Sequence, residues 1–128
     1  MPNVLLVDTH EDSRLIYAAA FRHHGFAVTA VASCAEMADL ARAQRPALIV
    51  MGLEYPAAAT WEALRALRSD GATACIPVLA VSTTGLQEHR DRALELGCAA
   101  FFTKPLPPLE LLAAARGVLE CGRRIAAG

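Results

Sequence analysis

Three residues of complementary chemistry close three apolar runs of this 128-residue chain, and a fourth run closes on a residue with no side chain at all. Val4-Leu5-Leu6-Val7 ends at Asp8, Val78-Leu79-Ala80-Val81 at Ser82-Thr83, and Ala99-Ala100-Phe101-Phe102 at Thr103-Lys104-Pro105. Between them in the chain, Ala47-Leu48-Ile49-Val50-Met51 ends at Gly52-Leu53-Glu54-Tyr55-Pro56. A carboxylate can hold a cation, while a hydroxyl and an ammonium can hold anionic oxygen, so the set frames a phosphate-receiving pocket. Covalent capture of a phosphoryl group also needs a nucleophile, and Gly52 has none.

Such residues act together only if the chain brings the ends of the runs together. The sequence alternates short β runs with amphipathic segments five times. The first helix is expected from about Asp12 to His24, closed by Gly25, with Glu11 and Asp12 at its positive end and His23 and His24 at its negative end. Phe26–Val31 reads as a strand. Ser33-Cys34-Ala35-Glu36 fits a capping box opening a helix to about Gln44, which Pro46 stops. A loop through Pro56 leads to a helix over Thr60–Ser69, ended near Gly71. The Pro77–Ser82 strand, a Leu86–Leu96 helix stopped by Gly97, and the Ala99–Thr103 strand follow. Pro107 and Pro108 suit the start of a last helix reaching about Cys121. One domain over 1–121 and a short, frayed tail over 122–128 are expected. Strands that are apolar on both faces and alternate with helices imply a parallel sheet covered on both sides, an α/β architecture.

Composition narrows the function. Hydrophobic residues make up 55% of the chain, enough for a buried core, and the formal net charge of −1 gives no global field for nucleic acid or an anionic membrane. No apolar run approaches the roughly 20 residues of a membrane span, and no signal peptide is read at the N-terminus, so a cytoplasmic protein is expected. Cys34, Cys75, Cys98 and Cys121 form no Cys-x-x-Cys pair and complete no zinc pattern with the histidines; reduced thiols are expected. The loop Asp8-Thr9-His10-Glu11-Asp12-Ser13 has no glycines to cradle a nucleotide, and no nucleophile with a positioned base is evident, so an enzyme is not expected.

Taken in chain order, Asp8, Gly52, Ser82 and Lys104-Pro105 resemble the receiver domain of two-component response regulators, over roughly residues 3 to 120. The resemblance implies a doubly wound, five-stranded parallel sheet of flavodoxin-like (βα)5 form, strand order 2-1-3-4-5. Ligands of such sheets sit beyond the carboxyl ends of the strands; receiver and flavodoxin topologies are standard illustrations of that rule. In the family an acidic pair after the first strand holds magnesium, and an aspartate after the third accepts a phosphoryl group from a histidine kinase. A Ser or Thr after the fourth strand and a Lys after the fifth contact that group, and the Lys-Pro bond is usually cis.

Asp8 matches the first acid, Thr9 stands where the second would be, and Gly52 stands at the phosphoacceptor position. Ser82, Lys104 and Pro105 match the hydroxyl and the lysine-proline pair, and Phe101 matches the aromatic whose rotation reports activation. The resemblance therefore implies a pseudo-receiver with magnesium binding weak or absent and no other cofactor. Its expected partner is a histidine kinase or phosphotransfer protein, and no nucleic acid or membrane is expected. A homodimer through the fourth helix–fifth strand–fifth helix face (Leu86–Arg92 and Leu109–Gly117) or the first helix is a further expectation. The segment Leu15–Phe21 is apolar nearly all round, and Gly117 suggests a close approach on the last helix. The alternative is a domain that senses a small molecule or anion beside Lys104 and Ser82.

Each residue also has a plain structural role open to it. Asp8 can cap a loop, Ser82 can be a turn hydroxyl, Lys104 and His10 can be solvated, Phe101 and Phe102 can be core or rim aromatics, and Trp61 can pack on a neighbouring loop. Glu54 is either solvated in its loop or turned toward Lys104, where its carboxylate would act as a permanent negative charge.

Overall fold

A computed structural model describes residues 2–55 and 57–127, the last six by backbone alone. Its elements in chain order are β1 (Asn3–Val7), α1 (Glu11–His23), β2 (Ala27–Val31), a 3-10 turn (Cys34–Glu36), α2 (Met37–Gln44), β3 (Leu48–Gly52), α3 (Ala57–Ser69), β4 (Val78–Ser82), α4 (Gln87–Glu95), β5 (Ala100–Thr103) and α5 (Pro108–Ala127). The strands form one sheet in the order β2-β1-β3-β4-β5, every neighbouring pair parallel.

Two-residue alternation divides β1, β3 and β4 between two cores, which is why their sequences are apolar throughout. Leu5, Val7, Ile49, Met51, Val78 and Ala80 join Met37, Ala41, Leu64, Leu67 and Ala93 on the side of α2, α3 and α4. Val4, Leu6, Leu48, Val50, Leu79 and Val81 join Tyr17, Ala18, Phe21, Leu111, Leu112 and Ala115 on the side of α1 and α5. Gly25 and Gly97 end α1 and α4 with φ of 90° and 89°, the left-handed stop for which glycine carries no steric penalty.

Several boundaries differ from those the sequence suggests. The Ser33 hydroxyl accepts from Ala35 N, but a 3-10 turn intervenes before α2, so Ser33–Glu36 is not a reciprocal capping box. Arg45, rather than Pro46, makes the left-handed exit from α2, with φ 46°. The third helix begins at Ala57, not Thr60; Pro56 lies outside the described residues. The last helix continues to Ala127, through most of the segment expected to be a tail. A Cβ on Gly117 would meet nothing within 4 Å, so no other element of this chain packs closely against it. On the first helix, Tyr17, Ala18 and Phe21 are buried while Leu15 and Ile16 stay exposed, as does Leu109 on α5. Among the described residues no helix is long and apolar enough to cross a membrane.

Candidate functional site

The parallel register sets Asp8, Gly52, Ser82 and Lys104 along one edge of the sheet. Val7 pairs with Met51, Gly52 with Val81, and Ser82 with Thr103, so the four residues fall at consecutive carboxyl ends of β1, β3, β4 and β5. Backbone bonds extend the ladder past the strands: Asp8 N donates to Val31 O, Leu53 N to Val81 O, and Lys104 N to Ser82 O.

The carboxylate of Asp8 is the centre of the site and is only 3% exposed. The Lys104 ammonium donates to both of its oxygens, at 3.0 and 3.3 Å, and to Ser13 Oγ on α1 at 3.2 Å. His10 N donates to Asp8 Oδ1 at 2.9 Å, so Asp8 also holds the turn into α1, and Arg14 donates to the Asp8 carbonyl. Loop-holding and ion pairing thus coexist in one residue. His10 itself is solvent-facing, with its ring nitrogen 3.5 Å from Asp8 Oδ1. Burying a carboxylate is costly unless it is paired and hydrogen-bonded, and both conditions are met.

Gly52 is fully buried beside this pair. A Cβ placed there would lie 3.4 Å from Asp8 Cγ and 3.2 Å from Val7 O, so any side chain at 52 projects directly against the Asp8 carboxylate. Thr9 is exposed. The Lys104–Pro105 bond is cis, as the resemblance implies. Among the described residues no three His, Cys, Asp or Glu side chains group to hold a metal ion. A divalent cation wants several oxygens with one or two carboxylates among them. Here Asp8 is committed to Lys104 and Gly52 offers no carboxylate beside it, so the residues do not fit such an ion.

Glu54 neither turns toward Lys104 nor stands free in its loop, which corrects both readings. Its carboxylate accepts from Cys34 N at 2.5 Å, and its own N donates to Thr60 Oγ1, so it ties the β3–α3 loop to the 3-10 turn and to α3. A free amide at a turn start is a stronger attraction than a lysine already neutralised by Asp8. The same carboxylate and burial push the Cys34 thiol up to about 11, burial being the larger cause.

Ser82 is buried and does not face the Lys104 amine. Its Oγ accepts from Thr84 N at 3.1 Å and lies 2.9 Å from the hydroxyl of Tyr55, which also lies 3.2 Å from Thr84 Oγ1. Burial raises the Tyr55 phenol, but its bonds with Ser82, Thr84 and Thr83 outweigh that and lower it. Phe101 is a core residue, 5% exposed, with the Arg90 guanidinium of α4 5.5 Å from its ring centre. Trp61 packs on the core and on the His89 ring of α4.

Sequence reasoning missed Tyr55, Thr84, His89 and Ser13. Ser13 had a usable signal, because a hydroxyl in the first turn of the helix after β1 faces the strand ends. Tyr55 had none, since a loop aromatic has no periodicity. Beside the site, a cleft of about 490 Å³ runs between α1 and the β5–α5 loop, lined by Ile16, Tyr17, Lys104, Pro105, Leu106 and Pro108 among others. The Tyr17 hydroxyl donates to Leu106 O at 2.9 Å across its floor.

Known proteins match this architecture over nearly all its length. The response regulator receiver domain model matches residues 4–116. The chain is 28% identical over 104 residues to the polar-differentiation response regulator DivK of Brucella anthropi, covering 81% of this chain and 85% of that one. A response regulator from Desulfuromonas acetoxidans superposes with a TM-score of 0.84 at 25% identity, over 94% of this chain and 98% of the other. The receiver domain of a Pseudomonas aeruginosa sensor histidine kinase, solved with magnesium in its active-site cleft, gives 0.83 at 25% identity over 93% and 98%. Chemotaxis protein CheY4 of Vibrio cholerae shares the fold with a TM-score of 0.83 at 24% identity, over 92% and 98%.

Proposed function

The chain belongs to the response regulator receiver domain family, and from that premise we propose that it is a receiver of two-component signalling whose output does not depend on aspartyl phosphorylation. The observation that carries this is Gly52. It lies at the carboxyl end of β3 with its Cα pointing an absent side chain at Asp8, the place where the family carries its acceptor. A position without a nucleophile cannot form the acyl phosphate.

The surrounding groups support the same reading. Lys104 pairs directly with Asp8. At an effective dielectric near 20, opposite charges about 4 Å apart attract by roughly 4 kcal/mol, which offsets the cost of burying the two groups and favours their pairing with each other. The protein acts as a binding module, not an enzyme, and its partner is a histidine kinase or phosphotransfer protein of the same network. Surfaces available to a partner or a second copy are α1, with Leu15 and Ile16 exposed, and the α4–β5–α5 face, with Leu86, Leu94 and Leu109 exposed. The alternative of an anion held by Lys104 and Ser82 fares worse, because the ammonium is already neutralised and the hydroxyl is buried against Tyr55.

Incubation with a small phosphodonor such as acetyl phosphate and magnesium, followed by intact-mass analysis, tests the reading. No gain of a phosphoryl mass is expected. A gain mapped to the strand-end residues around Gly52 overturns it.

A further inference from the structure

Tyr55 has the environment of a fastener rather than of a loop residue. Its ring is half exposed, yet its hydroxyl turns inward to the buried Ser82 Oγ at 2.9 Å and to Thr84 Oγ1 at 3.2 Å. Ser82 ends β4, and its Oγ also accepts from Thr84 N, which fixes the first turn of the β4–α4 connection. Thr84 Oγ1 lies 3.5 Å from His89 Nδ1, which carries the chain of contacts onto α4. The Tyr55 and His89 rings stand 5.7 Å apart, with the Trp61 ring 6.1 Å beyond on α3. One side chain from the β3–α3 loop therefore joins that loop, the end of β4, the β4–α4 connection and α4.

The neighbouring residues leave this fastener little competition. With no side chain at Gly52 and with Lys104 turned to Asp8, the Tyr55 hydroxyl is the side-chain partner of Ser82. A phenol is rigid, with two rotatable bonds, so ordering it costs less entropy than ordering a lysine or glutamate for the same bonds. The Phe101 ring lies inward behind α4, and Arg90 of that helix rests over it, so the position of α4 is coupled to the core as well as to the loops.

We propose that Tyr55 is a built-in latch: its hydroxyl takes the place at Ser82 that a phosphoryl oxygen takes in a phosphorylated receiver, and so holds the β4–α4 connection and α4 in one arrangement without covalent modification. The latch rests on the reading of the chain as a phosphorylation-independent receiver. It deepens that reading by naming the group that sets the state of the switch.

The test is amide hydrogen exchange on the full chain, comparing wild type, Tyr55→Phe, Ser82→Ala and the double variant, with no phosphodonor and no partner present. Tyr55→Phe keeps the ring and removes only the hydroxyl. Losing one or two hydrogen bonds of ordinary strength is expected to speed exchange over residues 83–89 by about five- to fifty-fold, with β1 and β3 unchanged. Ser82→Ala is expected to give the same regional pattern, and the double variant less than the product of the two single effects, because the Tyr55–Ser82 bond is lost in both while the Tyr55–Thr84 and Thr84 N–Ser82 bonds are each lost in one. Unchanged exchange over 83–89 in Tyr55→Phe overturns the latch. So does a uniform acceleration that includes β1 and β3, or a double variant whose effects simply multiply. The two readings fail separately: phosphoryl uptake by the wild type sinks the phosphorylation-independent reading, while a negative exchange result with no uptake sinks the latch alone.

Discussion

Restoring a carboxylate at the end of β3 gives the sharpest test of how the site is balanced. In Gly52→Asp the new Cβ would stand 3.4 Å from Asp8 Cγ, which places the two carboxylates about 4 Å apart in a buried setting. At an effective dielectric near 20, like charges at that distance repel by about 4 kcal/mol. Lys104, 3.0 Å from Asp8, can be shared between them and offsets part of this, so a net loss of about 2–4 kcal/mol is expected at neutral pH in the presence of a chelator. Gly52→Ala separates the steric part. Its Cβ meets the backbone Val7 O at 3.2 Å, a tight contact, while the loss of a glycine from the unfolded chain returns roughly 0.4–1 kcal/mol, so Ala should lie within about 1 kcal/mol of wild type. The difference between the variants is the charge effect. Its pH dependence has a definite sign. Repulsion raises the added carboxyl in the folded state above its unfolded value near 3.9, so the folded state binds more protons and stability falls as pH rises through that range. Magnesium should reverse the loss, since two carboxylates now converge; at a concentration about 100 times its dissociation constant it returns about 2.7 kcal/mol. Urea denaturation followed by the fluorescence of the single tryptophan, Trp61, reads each of these comparisons. Gly52→Asp as stable as Gly52→Ala in chelator at neutral pH, or Gly52→Asp indifferent to magnesium, refutes the placement of residue 52 against Asp8.

Three other changes have distinct expected outcomes. Lys104→Met leaves the buried Asp8 carboxylate with His10 N as its remaining donor and should cost roughly 3–5 kcal/mol in urea denaturation, much of it recovered by adding Asp8→Asn. Gly117→Ala on α5, where a Cβ has open space, should stabilise by about 1 kcal/mol, read as a higher denaturation midpoint with unchanged slope. Burial pushes the thiols of Cys34 and Cys98 from 9.0 up to about 11. A folded value above the unfolded one means stability is full below pH 9 and is lost as pH rises toward 11; at neutral pH alkylation should label the exposed Cys75 and Cys121 well before these two.

The fold was legible because its signals are local and repeated. Each buried strand is a short apolar run, and each helix carries its stop, as Gly25 and Gly97 show by adopting the left-handed conformation a helix end needs. The five units follow from the residues, while the strand order came from the family resemblance. What the sequence hid are contacts between distant segments. Arg68 is the clearest case: its guanidinium donates to the carbonyls of Ala74, Ile76, Leu96 and Gly97, binding the α3–β4 turn to the end of α4. Nothing in its neighbours marks it, because its partners are main-chain oxygens with no sequence signature.

The site divides along the same line, between a frame set by the strands and pairings set by the side chains present. Positions at strand ends were readable because the ladder puts Asp8, Gly52, Ser82 and Lys104 in register whatever the side chains are. The pairing among them was not, because it depends on which charges remain once one is gone. With no carboxylate at 52, Lys104 has Asp8 as its acid and turns to it. Glu54, which might have supplied the missing charge, finds the free amide of Cys34 first. Ser82 is then left without an anionic partner at the end of a buried strand, and a buried hydroxyl must be satisfied. Tyr55 satisfies it from a loop with an uncharged oxygen, at no cost in buried charge. The polar groups at the strand ends thus each have a partner within the chain, Asp8 with Lys104, Glu54 with the Cys34 amide and Ser82 with Tyr55, and the proposed fixed state rests on that closed set.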